Sequence, residues 1–190
     1  VSYKVGVFIG SLATESINRK LAKAVMRLAP ASLELTEIPI RDLPLYSYDY
    51  DKAYPPVAKE FKDAIARVDA LLFVTPEYNR SIPGSLKNAI DWGSRPYGQN
   101  AFALKPSAVI GTSPGAIGTA VGQQHLRSIL SFVNSPELAQ PEVYIQFTPG
   151  LITDDGEITN PGTREFLSTW LKAFEVFIGK VSTAEGRAKS

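Results

Sequence analysis

The run Thr75-Pro76-Glu77-Tyr78-Asn79-Arg80-Ser81-Ile82-Pro83-Gly84 constrains this chain more than any other stretch. It follows the apolar segment Ala70-Leu71-Leu72-Phe73-Val74 and leads into a helical pattern starting near Ser85. A buried strand that ends in a Pro- and Gly-stiffened loop and then opens a helix is how open α/β folds build ligand sites. The loop offers an aromatic face, an amide and backbone donors, but no His, Cys or Ser triad. That inventory suits holding a flat polar ring better than activating a nucleophile.

The same alternation runs along the whole chain. Val5 to Ile9, Leu33 to Ile38, Ala70 to Val74, Ser107 to Gly111 and Val143 to Phe147 read as strands. Between them, apolar residues recur at helical spacing: Leu21, Ala22, Val25 and Leu28, ended by Pro30; Ala58, Phe61, Ile65 and Val68; Leu86, Ala89 and Ile90; Ile129, Leu130 and Val133. Asn160-Pro161 opens a last helix, with Pro where a missing N–H costs nothing, and Phe166, Trp170, Phe174 and Phe177 form its expected buried stripe. Arg41 to Pro56 reads as a loop, and the tail from Ser182 to Ser190 is expected to fray. Strands alternating with helices and joined by right-handed crossovers give an α/β, doubly wound parallel sheet with helices on both faces. For five strands the flavodoxin-like order 2-1-3-4-5 is the natural choice, and the length of 190 residues fits one domain over 1–190.

Composition narrows the function classes. Lys plus Arg is 20 against 19 for Asp plus Glu, so the large basic excess that nucleic-acid binding demands is missing. The apolar runs are too short to span a bilayer and the first residues lack a signal-peptide pattern. There is no Cys and a single His, His125, so thiolate chemistry is excluded and a His-based metal site is not expected. These features point to a cytoplasmic protein that uses small molecules, without nucleic acid, membrane or metal.

In the expected strand order, the loops after strands one, three and four meet at the topological switch point, where ligands bind. They are Gly10 to Asn18, Pro76 to Ser85 and Thr112 to Gly118. In the first, Ser11, Thr14, Ser16 and Asn18 offer hydroxyls and an amide beside the free N–H groups of a helix start, which suits a phosphate dianion. The competing reading is that Ser16 or Thr14 simply caps the helix. No P-loop and no dinucleotide fingerprint occurs. In the third loop, Gly115 and Gly118 would let a ligand approach the backbone, or would merely make a turn.

Gly10-Ser11-Leu12, Ser16, Asn18-Arg19-Lys20, Thr75-Pro76-Glu77-Tyr78-Asn79, Pro83-Gly84, Leu86-Lys87-Asn88-Ala89-Ile90-Asp91 and Ser113-Pro114-Gly115-Ala116-Ile117-Gly118 together resemble the NADPH-dependent FMN reductase family, most of all its bacterial quinone and chromate reductase branch. The resemblance implies FMN, with its phosphate on Ser11, Ser16, Asn18 and the amides around Ile17. Its ring would lie against Pro76, Glu77, Tyr78 and Asn79, bordered by Ser113 and Gly115. It also implies NADPH or NADH as donor and a homodimer or homotetramer whose neighbouring subunit borders the flavin. Many relatives carry Arg where this chain has Ala13, so a contact worth about 1.5–3 kcal/mol is missing unless another group supplies it.

Donor and small-molecule electron acceptors would use one pocket in turn, giving ping-pong kinetics. Candidate substrate contacts are Tyr78, Arg80 and Arg95; either Arg binds an anion or is a solvated surface charge. No residue is assigned a catalytic role, Glu77 being more readily structural. Trp92, Tyr97 and Phe102 fit an interface, a flavin cover or the core. Lys87 and Asp91 fit a helix-surface or subunit contact better than a reactive pair. Two other classes fit the same fold: a non-enzymatic flavodoxin-type electron carrier, against which the charge of +1 speaks, and a small-molecule-binding module, which would take up no flavin.

Overall fold

The structure, a computed structural model, describes residues 2–186. Five parallel strands form one sheet in the order β2-β1-β3-β4-β5: β1 (Tyr3–Ile9), β2 (Leu33–Glu37), β3 (Ala70–Val74), β4 (Ser107–Ser113) and β5 (Tyr144–Gln146). The helices are α1 (Ile17–Leu28), α2 (Pro56–Ala66), α3 (Gly84–Ser94), α4 (Ala120–Phe132) and α5 (Pro161–Ala184). β1 pairs with β2 through Val5 and Leu35, and with β3 through Val7 and Leu72. The switch point therefore lies between β1 and β3, at the head of the Thr75–Gly84 loop. This is the expected flavodoxin-like arrangement.

The local chemistry explains the elements. All five residues of β3 are buried, because helices cover both faces of the sheet. β2 lies at the sheet edge and keeps Glu34 and Thr36 exposed. Ser16 caps α1 by accepting the Arg19 N–H, and Asn160 caps α5 by accepting the Thr163 N–H at 2.8 Å. On one side of the sheet, Leu21 and Val25 of α1 and Trp170, Phe174 and Ile178 of α5 pack on Val7, Leu72 and Ile110. On the other, Phe61, Ile65, Leu86, Ile90 and Leu126 from α2, α3 and α4 pack on Phe8, Phe73 and Val109, with the Phe8 and Phe73 rings stacked at 4.9 Å. Among the described residues, no helix is long and apolar enough to cross a membrane.

Several expectations need correction. Phe166 is 41% exposed; the buried stripe of α5 runs through Leu167, Trp170, Leu171, Phe174 and Ile178, and Phe177 packs at its margin. Aromatic identity misled there, since the 3.6-residue period places Leu167 rather than Phe166 in phase with Trp170 and Phe174. Of the three aromatics with open readings, Trp92 and Phe102 take the core one, with no exposure, whereas Tyr97 is 91% exposed. The expected loop Arg41 to Pro56 contains a short 3-10 helix, Tyr48–Lys52, capped by Ser47. β5 is shorter than expected and β4 runs on to Ser113. Helix persists through Ser182 to Ala184, and the part of the expected frayed tail at 187–190 lies outside the described residues.

Candidate functional site

The first loop leaves β1 at Gly10, whose N–H donates to the Val74 carbonyl at 2.8 Å and whose carbonyl accepts the Ser85 hydroxyl at 3.0 Å. A Cβ at Gly10 would come within 3.2 Å of Thr75 Oγ1 and 3.4 Å of Pro76 Cδ, so glycine permits this close seam. Ser11 is buried and its Oγ accepts the Ala13 N–H at 3.3 Å. Ser16 Oγ accepts the Arg19 N–H at 3.2 Å, so the capping reading is correct as far as it goes. Ile17 opens α1; its N–H and that of Asn18 have no partner among the described residues, as helix starts require. Asn18 is only 1% exposed. Its Nδ2 donates to the Thr112 carbonyl and its Oδ1 accepts the Thr112 N–H, both at 3.0 Å. The first loop is thereby locked to the end of β4.

The second loop makes a tight turn. Tyr78 and Ser81 exchange two backbone hydrogen bonds of 2.9 and 3.0 Å. Asn79 and Arg80 between them have φ of 52° and 64°. Such a turn favours Asn and Gly; for Arg80 the left-handed backbone costs about 1–2 kcal/mol. Tyr78 is 49% exposed and Pro76 half-buried. The N–H groups of Glu77 and Asn79 have no acceptor among the described residues. The Glu77 carboxylate accepts the Gly122 N–H at 2.9 Å. It thus caps α4, whose own N-cap residue Thr119 makes no side-chain cap bond. A Cβ at Gly122 would lie 2.9 Å from the Ser81 carbonyl, so this glycine lets α4 seat against the turn.

The third loop begins at Ser113, whose Oγ accepts the Gly115 N–H at 3.1 Å and whose carbonyl accepts the Phe147 N–H at 2.8 Å. The two glycines differ. Gly118 has φ of 59° and packs on the backbone of Tyr144 and Ile145, where a Cβ would sit at 2.8 Å. Among the described residues a Cβ at Gly115 would meet only Ser113 Oγ at 3.5 Å, so none of them requires that residue to be glycine. Upstream, a Cβ at Gly111 would fall 2.2 Å from the Thr75 carbonyl, which seals β4 to the start of the second loop. The first loop is therefore tied to the second and to the third, and the second to α4, the helix that follows the third.

The two candidate arginines part company. Arg80 lies on the turn, exposed, with Nη1 4.0 Å from Glu77 Oε1. Arg95 ends α3, and its carbonyl accepts the Tyr54 hydroxyl at 3.2 Å and the Lys62 ammonium. Burial pushes the Lys62 ammonium below its usual range there. Arg95 lines a groove of about 750 Å³ between α3 and α4, together with Ile90, Tyr97, Ile129 and Phe132. His125 Nδ1 lies 3.1 Å from Ser81 Oγ, a contact to the turn that sequence spacing does not reveal. Lys87 and Asp91 pair along α3 at 2.7 Å.

Residues 3–150 match the model of the NADPH-dependent FMN reductase family. The chain belongs to that family. It is 46% identical over 178 residues to a 2-hydroxy-1,4-benzoquinone reductase of Burkholderia sp, covering 94% of this chain and 97% of the relative. It is 49% identical over 177 residues to a quinone reductase of Pseudomonas putida, covering 93% and 95%. The structure of the flavoenzyme NAD(P)H:(acceptor) oxidoreductase FerB from Paracoccus denitrificans superposes with a TM-score of 0.90 at 45% identity, covering 94% of this chain and 98% of that one. Membership makes the protein an oxidoreductase using FMN and a nicotinamide nucleotide. The donor chemistry fits: buried hydroxyls and free helix-start amides suit one terminal phosphate, and the unpaired N–H groups of Glu77 and Asn79 suit the polar edge of a ring.

Proposed function

We propose that FMN lies across the three joined loops and that the protein reduces quinones, and chromate as a further acceptor, with NADH or NADPH. The carrying observation is that the first loop is tied to the other two through Gly10–Ser85 and Asn18–Thr112, and the second to the helix after the third through Glu77–Gly122. In this reading Ser11, Ser16, Ile17 and Asn18 hold the phosphate. Pro76, Glu77, Tyr78 and Asn79 support the ring, and Ser113 and Gly115 border it. The open surroundings of Gly115 suit a residue that makes room for a ligand rather than for the protein. Bound flavin supplies the two-electron chemistry, and the protein supplies binding and orientation.

Tyr78, half-exposed on the turn, is the surface on which nicotinamide and quinone rings would stack in turn. One pocket used twice predicts parallel double-reciprocal lines when NAD(P)H is varied at several quinone concentrations. Intersecting lines would place the acceptor in a separate site and defeat the shared-pocket reading. Arg80 and Arg95 recruit anionic substrates, because a guanidinium matches oxyanion geometry. Arg95→Ala should then raise KM for NAD(P)H several-fold with little loss in kcat; an unchanged KM makes Arg95 a surface or interface charge. A cytoplasmic location, where reduced nicotinamide nucleotides are available, goes with this activity.

The same reading makes the protein a homodimer or homotetramer joined through the α3–α4 face. Phe132 is 92% and Tyr97 91% exposed on that apolar groove, a surface a lone chain would not leave to water. Sedimentation of Phe132→Glu should show a smaller assembly than the wild type; the same assembly in both would move the interface elsewhere.

A further inference from the structure

We propose that Arg41 is the cation of the phosphate cradle, contributed by a connection distant in sequence from the loop that forms it. The proposal rests on the FMN reading above and adds a residue to it. Gly10 to Ser16 carries one charged residue, Glu15, and no cation. The basic residues that follow are engaged elsewhere. Arg19 makes two bonds to the Glu37 carboxylate at 2.8 and 3.1 Å, and Lys20 pairs with Asp154 at 2.6 Å. Lys23 donates to the Asp154 carbonyl at 2.8 Å.

Arg41 stands apart from these. It lies just after β2 and donates Nη2 to the Leu12 carbonyl, in the middle of the first loop. Among the described residues no carboxylate pairs with it. A long exposed side chain gains little from one neutral carbonyl bond and loses rotamer freedom in making it. What the bond does is station an unneutralised guanidinium on the one loop that offers buried hydroxyls and free amides to an anion. The remaining N–H donors of the guanidinium have no acceptor among the described residues and can meet a phosphate in the forked geometry that makes such pairs strong. In the other direction, Leu12 takes the end of Arg41 as a tether that holds the loop in place when the phosphate is bound.

The test is a titration of the flavin-stripped 190-residue chain with FMN and with riboflavin, which differ in the phosphate alone, followed by flavin fluorescence. The wild type should bind FMN far more tightly than riboflavin. Arg41→Ala should weaken FMN roughly tenfold or more, leave riboflavin unchanged, and flatten the dependence of FMN affinity on salt. Arg41→Lys should recover part of the loss, since it restores the charge without the fork. An unchanged melting temperature in Arg41→Ala would separate lost binding from lost structure. If Arg41→Ala keeps the full preference for FMN, the proposal is overturned while the cradle stands. If the wild type binds FMN and riboflavin equally, the cradle reading fails and the role of Arg41 fails with it.

Discussion

The two ends of the proposed flavin site are built in opposite ways. At the phosphate end, Ser11, Ser16 and Asn18 are 5%, 6% and 1% exposed, and each side chain already makes a bond to the backbone. At the ring end, Tyr78, Asn79 and Arg80 are exposed, and the turn between Tyr78 and Ser81 carries two left-handed residues that are not glycine. The first end is fixed before anything binds. The second is joined to α4 by the Glu77 carboxylate on the Gly122 N–H and by the His125–Ser81 contact, and faces solvent. The contrast separates a part that retains one cofactor from a part that exchanges donor and acceptor. It also explains why strain is tolerable at the ring end: the packed core below it, with Val74, Leu86 and Ile110 fully buried, does not depend on the turn.

The largest expected effect tests whether the phosphate end is structural as well as ligand-binding. Asn18→Ala leaves the N–H and carbonyl of Thr112 without partners in a buried setting, which costs about 1–3 kcal/mol for each group. A urea midpoint lowered by the equivalent of about 3 kcal/mol is expected, whereas Tyr78→Ala should stay within about 0.5 kcal/mol of the wild type. Equal costs for the two variants would erase the distinction between the ends.

A smaller effect sharpens it. Ala is favoured over Gly inside a helix by about 1 kcal/mol, so Gly122→Ala should stabilise α4 if nothing touched it. Its Cβ would instead meet the Ser81 carbonyl at 2.9 Å and Glu77 Cγ at 3.2 Å. We expect a net loss of about 1–2 kcal/mol from overpacking and a several-fold drop in quinone turnover. The preference for FMN over riboflavin should survive, since the phosphate end is untouched. Loss of that preference would show that the two ends are not independent.

The same contrast marks what was legible in the sequence. β3 was legible to the residue because burial on both faces leaves an unbroken apolar run. The three loops were legible because Pro, Gly and hydroxyl residues cluster between strand and helix patterns. The fastenings between them were not. Asn18 to Thr112 spans 94 residues and Glu77 to Gly122 spans 45, and no local pattern encodes either bond. A glycine near the start of α4 was the one visible sign of the second, because an interior helix glycine usually has a packing reason. Arg41 was invisible for the same cause: its meaning comes from where the chain after β2 returns. The 3-10 helix Tyr48–Lys52 was hidden in a segment rich in Asp, Tyr and Pro that is anchored to α3 upstream of that helix rather than marked by apolar periodicity; Trp92 Nε1 and Asn88 Nδ2 both donate to the Pro44 carbonyl, at 2.6 and 2.9 Å.

The smallest expected effect concerns that connection, which delivers Arg41 to the phosphate end. Burial, and then donation to the Asp51 carboxylate at 2.8 Å, raise the Tyr46 phenol to about 12. Burial also raises Tyr54. A pKa above its unfolded value of about 10 means stability fully present below pH 10 and lost as pH climbs through 12. The urea midpoint should therefore fall across that window, and Tyr46→Phe should fall less steeply because it has no phenol to ionise. Identical slopes would show that the connection is not held through Tyr46.

The central claim is that the three fastened loops hold FMN, and the flavin itself tests it most directly. Freshly purified protein should be yellow, and acid should release FMN, close to one per chain, identified by mass. Recovery of FAD, or a colourless protein that takes up no FMN on titration, would contradict the account.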